Sequence, residues 1–410
     1  MRTIVVGAGQ AGAWVARTLR ELDPHESIIL IGSETDAPYE RPLLSKDVLV
    51  GKAEAPPCLL TVEQAENLNI MMRLGLSVLA IDRLAKSLTL SDGTTLDYDR
   101  LVLATGGRPR VPELAGIDLA GVHTLRTMSD ARRLKSSLRA EKRLLVLGGG
   151  WIGLEVAASA RSLGLHVTLI EGGDRLCARS VPHEISMFLL ERHTREGVDV
   201  QLNGSLISIS KSKHGKLLAM THQGIQEFDS IVVGIGLQPN TELAKASNLS
   251  VDNGIIVDTY GRTSDPSIFA VGDVTNQSCS WMNAPPGTRV RLESWANAQN
   301  QGIGVGRALA GLEPQQQELP WFWSDQYDVN LQVLGMPDNQ ALTVRRGSQH
   351  EERFCLFQFV DSRLHAAVAV NMPRELKLAK RWMTAGVNPS PAELSDPDFR
   401  IDKFRPVTAT

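Results

Sequence analysis

Ile4-Val5-Val6-Gly7-Ala8-Gly9-Gln10-Ala11-Gly12 decides the fold: a β-branched run opens into a glycine turn, and apolar residues at helical spacing continue from Ala13 to Leu22. Strand, turn and helix follow in the order that a dinucleotide site requires. Gly7 permits the tight turn, Gly9 lets a pyrophosphate approach the backbone, and Gly12 lets helix and strand pack closely. The helix N-terminus, entered at Gln10 and Ala11, faces the phosphate charge. A second strand, Ser27 to Ile31, ends at Gly32-Ser33-Glu34. That places a carboxylate about 20 residues beyond the glycines, within reach of ribose hydroxyls.

The pattern recurs. Leu144-Leu145-Val146-Leu147 leads into Gly148-Gly149-Gly150-Trp151-Ile152-Gly153, a helix through Leu163, and a strand His166 to Ile170 that ends at Glu171. One such motif is a weak signal, but two copies, each with its own strand, helix and terminal acid, define an α/β protein with two Rossmann-like dinucleotide-binding domains. Glu171 accepts a hydrogen bond from a free ribose 2′-OH and repels a 2′-phosphate, so the second site is expected to prefer NADH over NADPH. Arg175 and Arg179 lie nearby in sequence and act against that preference.

At 410 residues the chain exceeds what one core usually organises, and two or three domains are expected. With 43 Lys+Arg against 46 Asp+Glu, the net charge of -3 gives no global basic face for nucleic acid or anionic lipid. Cys58, Cys177, Cys279 and Cys355 form no CxxC pair, which argues against a zinc ribbon, a cluster-binding run or a local redox disulfide. They read as buried, reduced thiols. The nine histidines offer no HExxH spacing, and no metal is assigned. The apolar run begins at once, leaving no room for a signal peptide, and no 18-residue apolar stretch suggests a membrane helix. A cytoplasmic protein is expected.

Further segments carry a resemblance. Leu103-Ala104-Thr105-Gly106-Gly107, Ser264 through Asp273 (SDPSIFAVGD), Glu40-Arg41-Pro42-Leu43-Leu44-Ser45-Lys46, Arg291 through Gln299 (RLESWANAQ) and Trp321 through Tyr327 (WFWSDQY) are similar to segments of the pyridine nucleotide–disulfide oxidoreductase superfamily. The chain most resembles its ferredoxin reductases, those of bacterial ring-hydroxylating dioxygenases and camphor-type monooxygenases. The resemblance covers essentially the whole chain and implies FAD at the first site and NAD at the second. It implies that Asp273 holds the flavin ribitol, that Arg41 contacts FAD, and that Lys46 lies beside the isoalloxazine, paired with Glu155 near the nicotinamide. Val78, Ala104, Thr105, Gly106, Arg126 and Val290 match further FAD-contact positions, and Arg179, Ile235 and Gly236 further NAD-contact positions. Trp295 is implied to lie against the flavin on the side facing ferredoxin. Lys46, Glu155 and Trp295 are therefore the candidate catalytic residues.

The motif order implies an interrupted FAD-binding domain (1–109 and 237–318), an inserted NAD-binding domain (110–236) and a small α+β C-terminal reductase domain (319–410), after a linker from Gly311 to Gln317. In the last of these, Phe354 to Val360 and Leu364 to Val370 read as strands, and Arg374 to Ala385 as an amphipathic helix. The implied activity is transfer of hydride from NADH to FAD, then of single electrons to a [2Fe-2S] ferredoxin serving an aromatic-ring dioxygenase. The protein is expected to be a monomer or weak homodimer. Alternatives are a reductase for rubredoxin or another one-electron acceptor, and a non-catalytic NADH-sensing flavoprotein. The disulfide-reducing relatives carry cysteine where this chain has Leu43 to Lys46, which disfavours disulfide, coenzyme A disulfide or peroxide reduction. Because such ferredoxins are usually acidic, Arg289, Arg291, Arg374, Lys377 and Arg381 are candidate docking cations.

Overall fold

In the computed structural model, which describes residues 1–279, 287–313 and 317–405, the opening run Arg2–Val6 is the central strand of a five-stranded parallel sheet. The order across it is Ile268–Ala270, Arg100–Leu103, Arg2–Val6, Ser27–Gly32, Ile70–Leu74. Val6 pairs with Ile31 on one side and Leu103 on the other, so the strand ends that carry the glycine turn, Glu34 and Ala104 lie together. The two-residue period of a strand divides its side chains between two cores. Val5, Leu30, Val102 and Phe269 face the helices Gln10–Leu22 and Trp295–Leu309. Ile4, Val6, Ile29, Ile31, Leu101 and Leu103 pack with Val78, Leu88 and Leu90 of an antiparallel three-stranded sheet and with Tyr98 just beyond its last strand. Both faces are covered, as a parallel sheet requires.

This unit comprises Met1–Pro42, Ala55–Arg108 and Leu237–Glu318. Residues 314–316 of the Gly311–Gln317 segment lie outside the described residues. The second unit comprises Leu43–Glu54, Pro109–Gly236 and the chain from Leu319 on. Its parallel sheet repeats the first design in the order Val198–Gln201, His166–Ile170, Arg143–Leu147, Ser230–Val233, Val122–His123. Glu171 and the second glycine turn sit at the ends of adjacent strands, where Leu147 pairs with Ile170.

The same unit contains an antiparallel five-stranded sheet in the order Trp321–Gln326, Val329–Gly335, Arg363–Val370, Arg353–Val360, Leu342–Ser348. The apolar face of the helix Pro373–Ala385 supplies Leu376, Ala379 and Trp382 to one side of it. In the strand Arg353–Val360, Phe354 to Phe359 are all buried, Gln358 included. The reason is a second covering layer: Phe354 meets Phe188 of the helix His183–Arg195, ring centroids 5.4 Å apart. Cysteine burial departs from expectation. Cys177 and Cys355 are buried, but Cys58 lies exposed on the loop bridged to Tyr39, and Cys279 is intermediate.

His193, on the helix His183–Arg195, is fully buried between Gln326 and Tyr327, and burial lowers its pKa from the ordinary 6.5 to about 4. Between those values the unfolded chain takes up a proton that the folded chain does not. Stability therefore falls as pH drops from 6.5 toward 4, by about 3 kcal/mol in all, with no contribution above that window. Urea unfolding midpoints across this range should show the slope in the native chain and a shallower one in His193→Asn.

Candidate active site

Both fingerprint helices start in the same way. Gly9 and Gly150 are the N-cap residues of Gln10–Leu22 and Trp151–Ser162, and neither helix has a side-chain cap. Thr61, Thr127, Ser294 and Ser390 cap four other helices with a hydroxyl. The uncapped starts also have an open approach: a methyl group added at Gly150 would meet nothing within 4 Å, and one at Gly9 only the Arg41 guanidinium at 3.9 Å. Backbone N–H groups without an intrahelical partner, at the positive end of a helix, with room in front, fit a pyrophosphate. Behind each turn the packing is tight. A Cβ on Gly12 or Gly153 would stand 2.0 Å from the carbonyl oxygen of Gly7 or Gly148 respectively, so only glycine lets these helices approach.

In the first unit Glu34 is gripped from both sides: the Tyr39 hydroxyl donates to it at 2.6 Å and Arg41 at 2.7 Å. Burial pulls the Arg41 pKa down, but Tyr39, Glu34 and Asp273 outweigh it, and the guanidinium is held above its ordinary value. Arg41, Glu34 and Asp273 thus form one electrostatic group around the first turn. The Ala104-Thr105-Gly106 turn is tied to the returning chain by a reciprocal pair, the Thr105 hydroxyl donating to the Asn240 carbonyl and the Asn240 amide to the Thr105 carbonyl. Gln10 donates to Gln299 at 3.4 Å, and Ala11 is buried against the same helix. Val78 is buried in the second core, and Val290 lies in the short strand Arg289–Val290. Trp295 is the first residue of Trp295–Leu309, half-buried behind the Ser294 cap.

In the second unit Glu171 closes the glycine loop on itself, accepting from the Gly149 amide at 2.6 Å and the Gly173 amide at 2.7 Å. Arg175 is committed elsewhere, donating to the Val181 and Ala178 carbonyls and to the Ser186 hydroxyl. Arg179 is exposed and comes near Gly236, next to Ile235 in the return segment. Trp151 packs against Phe322 with ring centroids 4.6 Å apart, and Ile152 is exposed. Arg126 belongs to this unit, its amide donating to Asp130 just before the helix Met128–Ser137. With Arg175 consumed internally, Glu171 is the acid that the second glycine loop holds. Glu171→Ala should lower the NADH:NADPH ratio of specificity constants by about 10- to 100-fold, read from steady-state kinetics with both cofactors.

Lys46 and Glu155 are the pair that sequence alone brings together only by resemblance. The short helix Asp47–Val50 packs against the helices Met128–Ser137 and Trp151–Ser162, which carries Lys46 to Glu155 with Nζ to Oε2 at 2.7 Å. The side chains are 13% and 4% exposed, so both charges are largely removed from water. Two hydroxyls complete the carboxylate's shell: Ser45 donates to Oε2, and Ser324 to Oε1 at 2.6 Å. Neither serine stands out in sequence as a partner of Glu155, although both lie in segments that carry the resemblance. Three donors converge on one buried carboxylate, an arrangement suited to orienting a lysine beside a reacting cofactor.

Of the candidate docking cations, two turn inward. Arg289 donates to the Val257 and Asn276 carbonyls, and Arg291 is mostly buried and paired with Glu293. Arg374, Lys377 and Arg381 are exposed along the helix Pro373–Ala385, where Arg374 reaches Asp402 at 3.7 Å.

Two glycine-turn cradles, each with a terminal acid, together with a buried lysine–glutamate pair on the second, define a two-dinucleotide oxidoreductase. The chain belongs to the pyridine nucleotide-disulphide oxidoreductase family, whose pattern matches residues 1–302, with a reductase C-terminal segment over residues 321–405. The chain is 42% identical over 405 residues to the ferredoxin–NAD(+) reductase component of the anthranilate 1,2-dioxygenase system of Burkholderia cepacia, covering 98% of each chain. It is 38% identical to putidaredoxin reductase of Pseudomonas putida, covering 96% of this chain and 94% of that one. Among solved structures, the reductase in a covalent putidaredoxin reductase–putidaredoxin complex superimposes with a TM-score of 0.93 at 36% identity, over 98% of this chain and 97% of that one. The ferredoxin reductase for the CYP199A2 system of Rhodopseudomonas palustris gives 0.92 at 33% identity, over 98% and 99%.

Proposed function

We propose that this chain is an NADH-dependent flavoprotein reductase that passes single electrons to a [2Fe-2S] ferredoxin, and through it to an aromatic-ring dioxygenase. The observation that supports this most is the 42% identity, over 98% of both chains, to a dioxygenase-system ferredoxin–NAD(+) reductase component. FAD and NAD(H) are the cofactors; bound FAD supplies the conversion of a two-electron hydride donor into single-electron steps. The chain's own task is alignment and charge.

In this reading residues 1–109 and 237–318 bind FAD, residues 110–236 bind NAD, and residues 319–410 form the C-terminal reductase domain. Gly7, Gly9 and Gly12 seat the FAD pyrophosphate, while Glu34, Arg41 and Asp273 hold its ribose and ribitol side. Gly148 to Gly153 and Glu171 seat NADH. Lys46, held in place by Glu155, steadies the negative charge delivered with the hydride, and Trp295 stands on the electron exit side. No described helix is long and apolar enough to cross a membrane. We place the protein in the cytoplasm, as a monomer or weak homodimer.

The test is anaerobic stopped-flow reduction of the flavin-loaded protein by NADH, followed by mixing with a panel of oxidised ferredoxins and a rubredoxin. Fast bleaching and rapid reoxidation by a ferredoxin are expected. Reduced flavin that persists with every carrier would overturn the assignment.

A further inference from the structure

The Glu155 carboxylate is the end of a longer chain of buried polar groups. Ser324 Oγ, which donates to Glu155 Oε1, accepts from the Gln326 amide at 3.0 Å. The Gln326 side-chain carbonyl lies 2.8 Å from His193 Nε2, and His193 Nδ1 lies 3.0 Å from the Tyr327 hydroxyl. Ser324, Gln326 and His193 are buried, and Tyr327 is half-buried.

The direction of this chain is forced from one end. A carboxylate paired with Lys46 can only accept, so the single Ser324 proton goes to it. The Ser324 oxygen must then accept from the Gln326 amide, which turns the Gln326 carbonyl toward His193. His193 must carry its proton on Nε2, and Nδ1 is left as an acceptor for Tyr327. Four donors thus point the same way, each polarising the next toward the negative charge.

We propose that Ser324, Gln326, His193 and Tyr327 are positioning residues, a one-way hydrogen-bonded chain that fixes the Glu155 carboxylate against Lys46 and so tunes the pair during NADH oxidation. This rests on the assignment of Lys46 and Glu155 to that reaction. It gives the strand Trp321–Gln326 a part in the chemistry through Glu155, with no contact to substrate required. Other groups face the chain. Lys46 and the Cys177 thiol face Glu155, while Arg161, Arg192 and Glu196 face His193 and Tyr327. Arg192 is itself neutralised by Glu352, Asp328 and Glu196.

The test uses the full-length, flavin-loaded protein. The rate of flavin reduction by NADH is measured for the native chain and for Ser324→Ala, Ser324→Thr and Lys46→Met. With the pH held constant, loss of one donor to the carboxylate should lower the Ser324→Ala rate by about tenfold, and Ser324→Thr should restore it. If Lys46→Met slows reduction while the Ser324→Ala rate coincides with the native one, the chain has no tuning role and the proposal falls. If Lys46→Met reduces as fast as the native protein, the assignment of the pair itself is wrong, and the proposal falls with it. A second readout needs no turnover. Nitrogen-15 spectra of histidine-labelled native protein should hold one histidine as the neutral Nε2–H tautomer down to about pH 5; a proton on Nδ1 would reverse the chain and overturn the proposal.

Discussion

Glu155→Leu should lose about 3–5 kcal/mol of stability in urea unfolding, among the largest single effects available in this chain. Lys46 would keep its charge at 13% exposure with no carboxylate at 2.7 Å, and the Ser45 and Ser324 hydroxyls would lose their acceptor. Lys46→Met alone should cost a similar amount, because it strands the carboxylate instead. The double variant should recover most of the loss, since two apolar side chains in a buried site satisfy each other. Flavin reduction by NADH should not recover with it, and should stay on the order of 10²-fold below the native rate. Stability that fails to return in the double variant would mean that the pair is not energetically coupled; a rate that does return would remove it from the chemistry.

The second large effect separates the two nucleotide sites. Alanine at Gly12 or Gly153 puts a methyl group 2.0 Å from a backbone carbonyl, which no side-chain rearrangement relieves. In each case helix and strand must part, displacing the uncapped amides that face the pyrophosphate. Gly12→Ala should yield protein with little or no bound flavin, read from the flavin-to-protein absorbance ratio. Gly153→Ala should retain its flavin but show a KM for NADH raised on the order of 10²-fold, the scale expected when a binding group moves by about 1 Å. Equal loss of flavin from both variants would contradict the assignment of one cofactor to each turn.

Both glycine turns were legible in the sequence because everything that defines them is local. A β-branched strand, three glycines and an apolar helix lie within about two dozen residues, and backbone sterics leave one way to fold them. The surroundings of Glu155 were not legible in the same way. Ser45 lies 110 residues before it and Ser324 169 residues after it, and a serine carries no periodicity that announces its partner. Charge was similarly ambiguous: Arg289 and Arg291 read as surface cations, yet backbone carbonyls and Glu293 claim them. In Arg353–Val360 the polar Gln358 is buried, its amide satisfied by the Asp338 carbonyl and the Thr343 hydroxyl. Period and propensity say where a side chain starts, and only the tertiary pairing says what it meets.

The seating of Phe322 on Trp151, of Ser324 on Glu155 and of Glu352 on Arg192 bears on how such reductases are recombined. A chimaera built by exchanging the C-terminal segment at residue 319 would cut through all three contacts and pair a foreign strand with the native helix Trp151–Ser162. The crossover that preserves them transplants the helices Trp151–Ser162 and His183–Arg195 together with the tail. A designer exchanging the C-terminal segment of this chain therefore inherits the second glycine turn as part of the same cassette.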